Sequence, residues 1–311
     1  MKRSRLLPLV AGFWLVSSCR ALAIPEPSMR ALTATLQAAR PVTSAMTATS
    51  KPRPTATVAP TATPDVVATI TAASEPRLCS SLLSPDGEWR AEVLIHDCVT
   101  VGGADEMAYE QLKLIRTSNS VESVADTQLL YCRGLGAFGL AGLFWSPNSR
   151  YFYYTNAREG VPDGCGYWER PIIRLDVTNL RLEYLGGGRR SPDGTRLATW
   201  QGKELVIWDT DGGEIGRVPA MALDAETGPI AWSPDSQALV YVQFASYCLL
   251  SGKSRVVRLD LSPLRQTLLL ESEAPTFGGA AWDTPNELTL FDEGGKRWRY
   301  NLATQQLRET P

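Results

Sequence analysis

Six cysteines and a single histidine bound the chemistry open to this 311-residue chain. The cysteines stand at 19, 79, 98, 132, 165 and 248, no two make a C-x-x-C pair, and His96 is alone, so the ligand spacing that zinc requires is missing. A thiol nucleophile or a serine triad would have only His96 as its base, and there is no G-x-S-x-G turn. The sequence predicts no metal, no cofactor and no catalytic residue. Contact chemistry remains. Tyr167, Trp168 and Glu169 stand near Arg158 and Asp163, while Phe244 and Tyr247 form a second group. Their rings offer stacking surfaces and their charges offer hydrogen bonds to a peptide or sugar. The competing reading is that these rings merely cover loop backbone.

Positioning such groups falls to a repeated hairpin. In GPIAWSPDSQALVYV, Gly228 to Val242, an apolar run ends at Trp232, a tight turn follows on Ser233, Pro234, Asp235 and Ser236, and a second apolar run resumes at Leu239. Pro presets φ at the second turn position, and the Ser and Asp oxygens accept from backbone N–H groups just ahead. Related wording starts at Leu82 (LLSPDGEWRAEVL), Phe144 (FWSPNSRYFYY), Arg190 (RSPDGTRLATW) and, in worn form, Ala281 (AWDTPNELTLF). One such turn means little, whereas five in similar surroundings mean a repeat architecture.

A second segment repeats in step: KLIRT from Lys113, IRLDV from Ile173, VIWDT from Val206, VRLDL from Val257 and WRYNL from Trp298. From about Arg77 onward the chain divides into five units, each reading as four antiparallel strands. In the second unit these are Gly139 to Trp145, Tyr151 to Asn156, Pro171 to Val177 and Leu182 to Leu185. The SPDG hairpins with RLD or WD third strands resemble the β-propeller repeats of the TolB-like and WD-repeat families. That resemblance implies an all-β fold of about five four-stranded blades over residues 76–311. Two departures stand out, GGGRRS (Gly186 to Ser191) in place of an apolar inner strand and Asp283-Thr284-Pro285-Asn286 in place of the usual turn. Gln305 to Glu309 can serve as the last outer strand. DVVATIT (Asp65 to Thr71), rich in β-branched residues, is the alternative.

Loop lengths differ between units. The turn residue and the third-strand position held by Asp in RLD lie 27 to 32 residues apart in the first, second and fourth units (84 to 116, 146 to 176, 233 to 260) but 18 apart in the others (191 to 209, 283 to 301). The long connections should emerge on one face, where binding sites of repeat proteins tend to gather. They carry Cys98, Cys165 and Cys248. In an exported chain disulfides are the default, and the candidates are Cys79, Cys98, Cys132 and Cys165. The favoured pairing is Cys79 with Cys98 and Cys132 with Cys165. Cys98 with Cys132 competes, and Cys248 is left free.

Export is read from the first 23 residues. Lys2, Arg3 and Arg5 precede an apolar run, Leu6 to Val16, that is too short to span a bilayer. Val16-Ser17-Ser18-Cys19 resembles the bacterial lipobox, which implies acylation at Cys19 and a lipid-anchored, extracytoplasmic protein. Cleavage after Ala21-Leu22-Ala23, giving a secreted protein, is the runner-up. Residues 24–75, rich in Pro, Thr and Ala, read as a disordered tether.

The formal charge of −2, with no long basic block, speaks against a nucleic-acid partner. Propeller glycosidases need carboxylates about 5 to 9.5 Å apart at the inner-strand ends. The inner runs LCSSLL, GLAGLFW, TGPIAW and FGGAAW hold none, and only Asp224 and Glu226 lie nearby. The expected function is a non-catalytic binding or scaffold module for an extracytoplasmic protein or peptide. A glycan-binding lectin or a propeller glycoside hydrolase is the alternative.

Overall fold

A computed structural model describes residues 65–102, 105–132, 139–156, 169–246 and 251–310. The export signal, Cys19 and most of the tether therefore lie outside the described residues. The first described element is a helix, α1 (Val66–Ala73), and every described element after it is a β-strand.

DVVATIT is this helix rather than a strand. Asp65 caps it, accepting from the N–H of Ala68, and Ile70 is fully buried against the first blade. A cap and one buried face outweigh the β preference of its valines and threonines.

Blade 1 is β1 (Pro76–Leu83), β2 (Trp89–Val101), β3 (Asp105–Arg116) and β4 (Val121–Tyr131), paired in chain order. Blade 2 takes β5 (Ala141–Trp145), β6 (Tyr151–Thr155), β7 (Pro171–Asp176) and the first part of β8 (Arg181–Arg190). The end of β8 also opens blade 3, continuing with β9 (Arg196–Gln201), β10 (Glu204–Asp209) and β11 (Glu214–Pro219). Blade 4 is β12 (Glu226–Trp232), β13 (Ala238–Ser246), β14 (Ser251–Leu261) and β15 (Leu264–Ser272). Blade 5 is β16 (Phe277–Thr284), β17 (Glu287–Asp292), β18 (Arg297–Asn301) and β19 (Leu307–Thr310). Every pairing is antiparallel. With β19 as its outer strand, the last blade is built from one continuous stretch of chain.

The GGGRRS departure is where β8 changes partners. Pro171 to Asp176 pair with Gly187 back to Arg181, and Gly187 to Arg190 then pair with Trp200 back to Leu197. Gly186 has φ of +85°, and a Cβ there would overlap the carbonyl oxygen of Trp200. A Cβ on Gly188 would overlap that of Ala198. Only glycine lets one strand leave a blade and enter the next at such close approach. Blades 2 and 3 consequently share one seven-stranded sheet.

Successive blades pack face to face. Ala91, Val93, Leu112 and Leu114 meet Phe152, Tyr154 and Leu175 between blades 1 and 2. Tyr153 and Leu185 meet Val206 and Trp208 between blades 2 and 3. Two further clusters fill the 3–4 and 4–5 joints. A tryptophan pins three of them. The indoles of Trp145, Trp232 and Trp282 donate to the carbonyls of Leu82, Arg189 and Ala231 in the preceding blade, at 3.0, 2.8 and 3.0 Å. In blade 3 the residue before the turn is Arg190, whose guanidinium stacks 4.1 Å from the Phe144 ring centroid. Among the described residues no hydrogen bond, ion pair or buried apolar cluster joins blade 5 to blade 1.

Candidate functional site

Alternating strand direction gives the blades two faces. The ends of β2 and β13 that lead on to β3 and β14 lie on one face, and the Ser-Pro turns lie on the other. On the first face, β2 and β3 extend as a long hairpin, and Val99, Val101, Met107 and Tyr109, on its side turned from blade 2, are covered by α1. His96 belongs to this joint. It is buried, with Nδ1 2.5 Å from the carbonyl oxygen of Ser74, where it pins the end of the helix.

The cysteines overturn the favoured pairing in both halves, since Cys132 is taken from Cys165 as Cys98 is from Cys79, and the competing pair is the one present. Cys98 pairs with Cys132, at a Cα separation of 6.1 Å, so the pairing of Cys79 with Cys98 does not form. Cys98 lies at the bulge in β2 and Cys132 follows directly on β4, and the two neighbours of β3 meet at the same level. Cys79 is itself disulfide-bonded, and no described cysteine is free. Cys165 and Cys248 lie outside the described residues.

Of the contact residues expected on this face, Arg158, Asp163, Tyr167, Trp168 and Tyr247 also lie outside the described residues. Phe244 is not on the face at all. It is fully buried in the core between blades 4 and 5, beside Phe277 and Leu290, because its place in β13 turns it toward blade 5. Glu169 stands next to β8 and holds Arg189 in an ion pair of 2.5 Å, with its own side chain 12% exposed. Its work is to brace the sheet where β8 changes blades.

Two acids that the sequence gave no reason to single out are buried between blades 1 and 2. Glu110 accepts from the N–H of Leu140, which precedes β5. Asp126 accepts from the Tyr154 hydroxyl at 2.6 Å, from Asn156 at 3.1 Å and from the N–H of Thr127 at 2.8 Å. Both acids clamp neighbouring blades. They lie in β3 and β4, where alternation alone would place an apolar residue facing the joint.

The opposite face holds a cleft of about 510 Å³ between blades 4 and 5. The Ser233–Asp235 turn, the β14–β15 turn and the ends of β16 and β18 enclose it. Arg258 donates to Asp260 at 2.7 Å and lies 5.8 Å from the Trp282 ring centroid, and Arg265 approaches the same carboxylate at 3.7 Å. Asp235 accepts from the Ser233 hydroxyl at 2.6 Å and from the N–H of Gln237 at 3.0 Å. These bonds hold its carboxyl below the usual carboxylate range. Gln237, Gln305 and the 71%-exposed Arg265 side chain present further polar groups at the mouth, and Pro263, Pro285 and Leu302 supply apolar wall. Each cleft acid already has a partner. The lining thus combines charged, amide and apolar groups. Among the described residues no group of three or more His, Cys, Asp or Glu could hold a metal ion.

No family model and no curated protein matches the chain. Among solved structures it is similar to the crystal structure of Porphyromonas gingivalis dipeptidyl peptidase 4, at 10% identity and a TM-score of 0.41. The match covers 74% of this chain and 39% of that one. The architecture is that of the sheets themselves: an all-β fold of four-stranded antiparallel blades, as in β-propellers.

Proposed function

We propose that this protein is an exported, lipid-anchored propeller-type binding module, TolB-like in kind, that docks an extracytoplasmic protein or peptide without catalysis. The cleft between blades 4 and 5 carries this reading. Its walls are formed by packed strands and short turns, so the site is preorganised and little ordering entropy opposes binding. Amide and guanidinium groups at its mouth match the donors and acceptors of an extended peptide, and Trp282 with the two prolines accommodates an apolar side chain. Asp235 and Asp260 are both taken up by hydrogen bonds or ion pairs, which favours binding over acid–base chemistry. Lipidation at Cys19 would hold this surface at the membrane.

The test is capture from a displayed peptide library by the full chain, compared with Arg265→Glu. The arginine side chain is largely exposed, so the variant should fold normally. Enrichment of a peptide class by the native protein, weakened about tenfold or more in the variant, is the expected outcome. Equal capture by both proteins removes the cleft. Selective binding on a glycan array would move the reading to a lectin, and turnover of a bound polysaccharide would overturn the non-catalytic assignment.

A further inference from the structure

The two ends of the blade array differ in character. Blade 5 ends in a polar face, with Arg297, Arg299 and Arg308 exposed and only Phe291 as a large, partly exposed apolar group. This is how a terminal repeat is finished when nothing stacks on it. Blade 1 is not finished that way. On the face turned from blade 2, Leu78, Leu83, Val124, Leu129 and Tyr131 are 51%, 59%, 51%, 42% and 60% exposed. Register places them on one side: Leu83 pairs with Arg90, Val124 with Lys113 and Leu129 with Tyr109, while Ala91 and Leu112, one residue on in either strand, point to the blade 2 core. Helix α1 covers only the far end of this face.

We infer that the uncovered face of blade 1 is an interface with a second copy of this chain, blade 1 against blade 1 across a two-fold axis. Three observations select that occupant. Stacking one blade face on another is the association that this chain already uses at each of its internal joints. Stacking blade 5 here instead, from the same chain or another, would set three arginines against leucine, valine and tyrosine, on a face whose two acids, Glu92 and Glu122, are already held by Arg90 and Lys113. The blade 1 face is also electrically self-complementary. It carries two cations and two anions in surface pairs, Arg90 with Glu92 at 2.8 Å and Lys113 with Glu122 at 3.1 Å. A two-fold axis can set Glu92 of one copy toward Lys113 of the other, and the reverse, around the apolar residues. An isologous contact of this kind is closed and stops at two copies.

The experiment is light scattering on purified full-length protein over a dilution series, for the native chain, Leu83→Arg and Val124→Glu. Both substituted side chains are more than half exposed, and an unchanged circular dichroism spectrum confirms folding. The native protein should show twice the chain mass, and each variant should show a loss to one chain mass. A native protein that stays at one chain mass throughout, or variants that remain dimeric, overturn the proposal. So does a monomer that instead binds phosphatidylcholine–phosphatidylglycerol vesicles through Leu83, since a lipid surface would then be the occupant.

Discussion

Asp86 and Asp235 show how a single turn residue works here. Each carboxylate accepts from the turn serine, Ser84 or Ser233, at 2.6 Å and from a backbone N–H two residues on. The serine hydroxyl, more than any other partner, holds each below the usual carboxylate range. With a folded value under the unfolded one, near ~4, this stabilisation is complete above that pH and is lost as pH falls through the folded value. Blade 2 shows that charge is dispensable for the geometry: Asn148 accepts from Ser146 and from the N–H of Arg150 in the same way. The double variant Asp86→Asn/Asp235→Asn should therefore keep the turn geometry, give up the charge-dependent part of the stability at neutral pH, and lose less on acidification. Denaturant unfolding across the acid range measures this, and an unchanged acid slope would remove these carboxylates from the account. The turn chemistry was legible in the sequence because donor and acceptor are neighbours along the chain. Phe244 was misplaced because an aromatic in a strand reads the same whether it faces solvent or a blade that has yet to be located.

Among the elements, the long β2–β3 hairpin depends most on covalent support. Cys98 and Cys132 are 34 residues apart, and their bridge ties β2 to the end of β4 across β3. Closing a loop of that size restricts the unfolded chain, and Cys98→Ser/Cys132→Ser should lower the unfolding free energy by about 2 to 4 kcal/mol. Urea titration of the variant against the native protein checks it, and equal midpoints would mean that the bridge adds nothing. Cysteine counting announced disulfides but left the connectivity open, because that depends on which strand ends share a level in space. The same limit applied to α1 and β8. The capping Asp65 was visible, but nothing local announced the apolar hollow that receives Ile70. The glycine run was visible as a departure, but its purpose appears only once Trp200 and Ala198 crowd against it.

At the scale of the molecule, stability resides in the joints between blades, each a continuous buried layer shared by two sheets. Leu239 is fully buried in the 3–4 joint, and Leu239→Ala should cost about 2 to 5 kcal/mol. Arg297→Glu, on the polar outer face of blade 5, should stay within about 0.5 kcal/mol of the native protein. Comparing their unfolding midpoints tests whether the joints carry the fold, and a similar loss in both would contradict that picture. The cleft also belongs to this scale, since its walls come from two blades and from segments up to 72 residues apart, Ser233 to Gln305.

Taken alone, the sequence determined the repeating unit, the antiparallel order of four strands within each blade and the position of the five turns that join first and second strands. All of these follow from neighbours along the chain, through turn geometry and alternating polarity. Tertiary structure alone decided the disulfide partners, the strand shared by blades 2 and 3, the helix at the entrance and the cleft. It also decided which end of the array is left apolar. Each of those depends on which surfaces meet after folding, and burial and register across separate segments have no local signature.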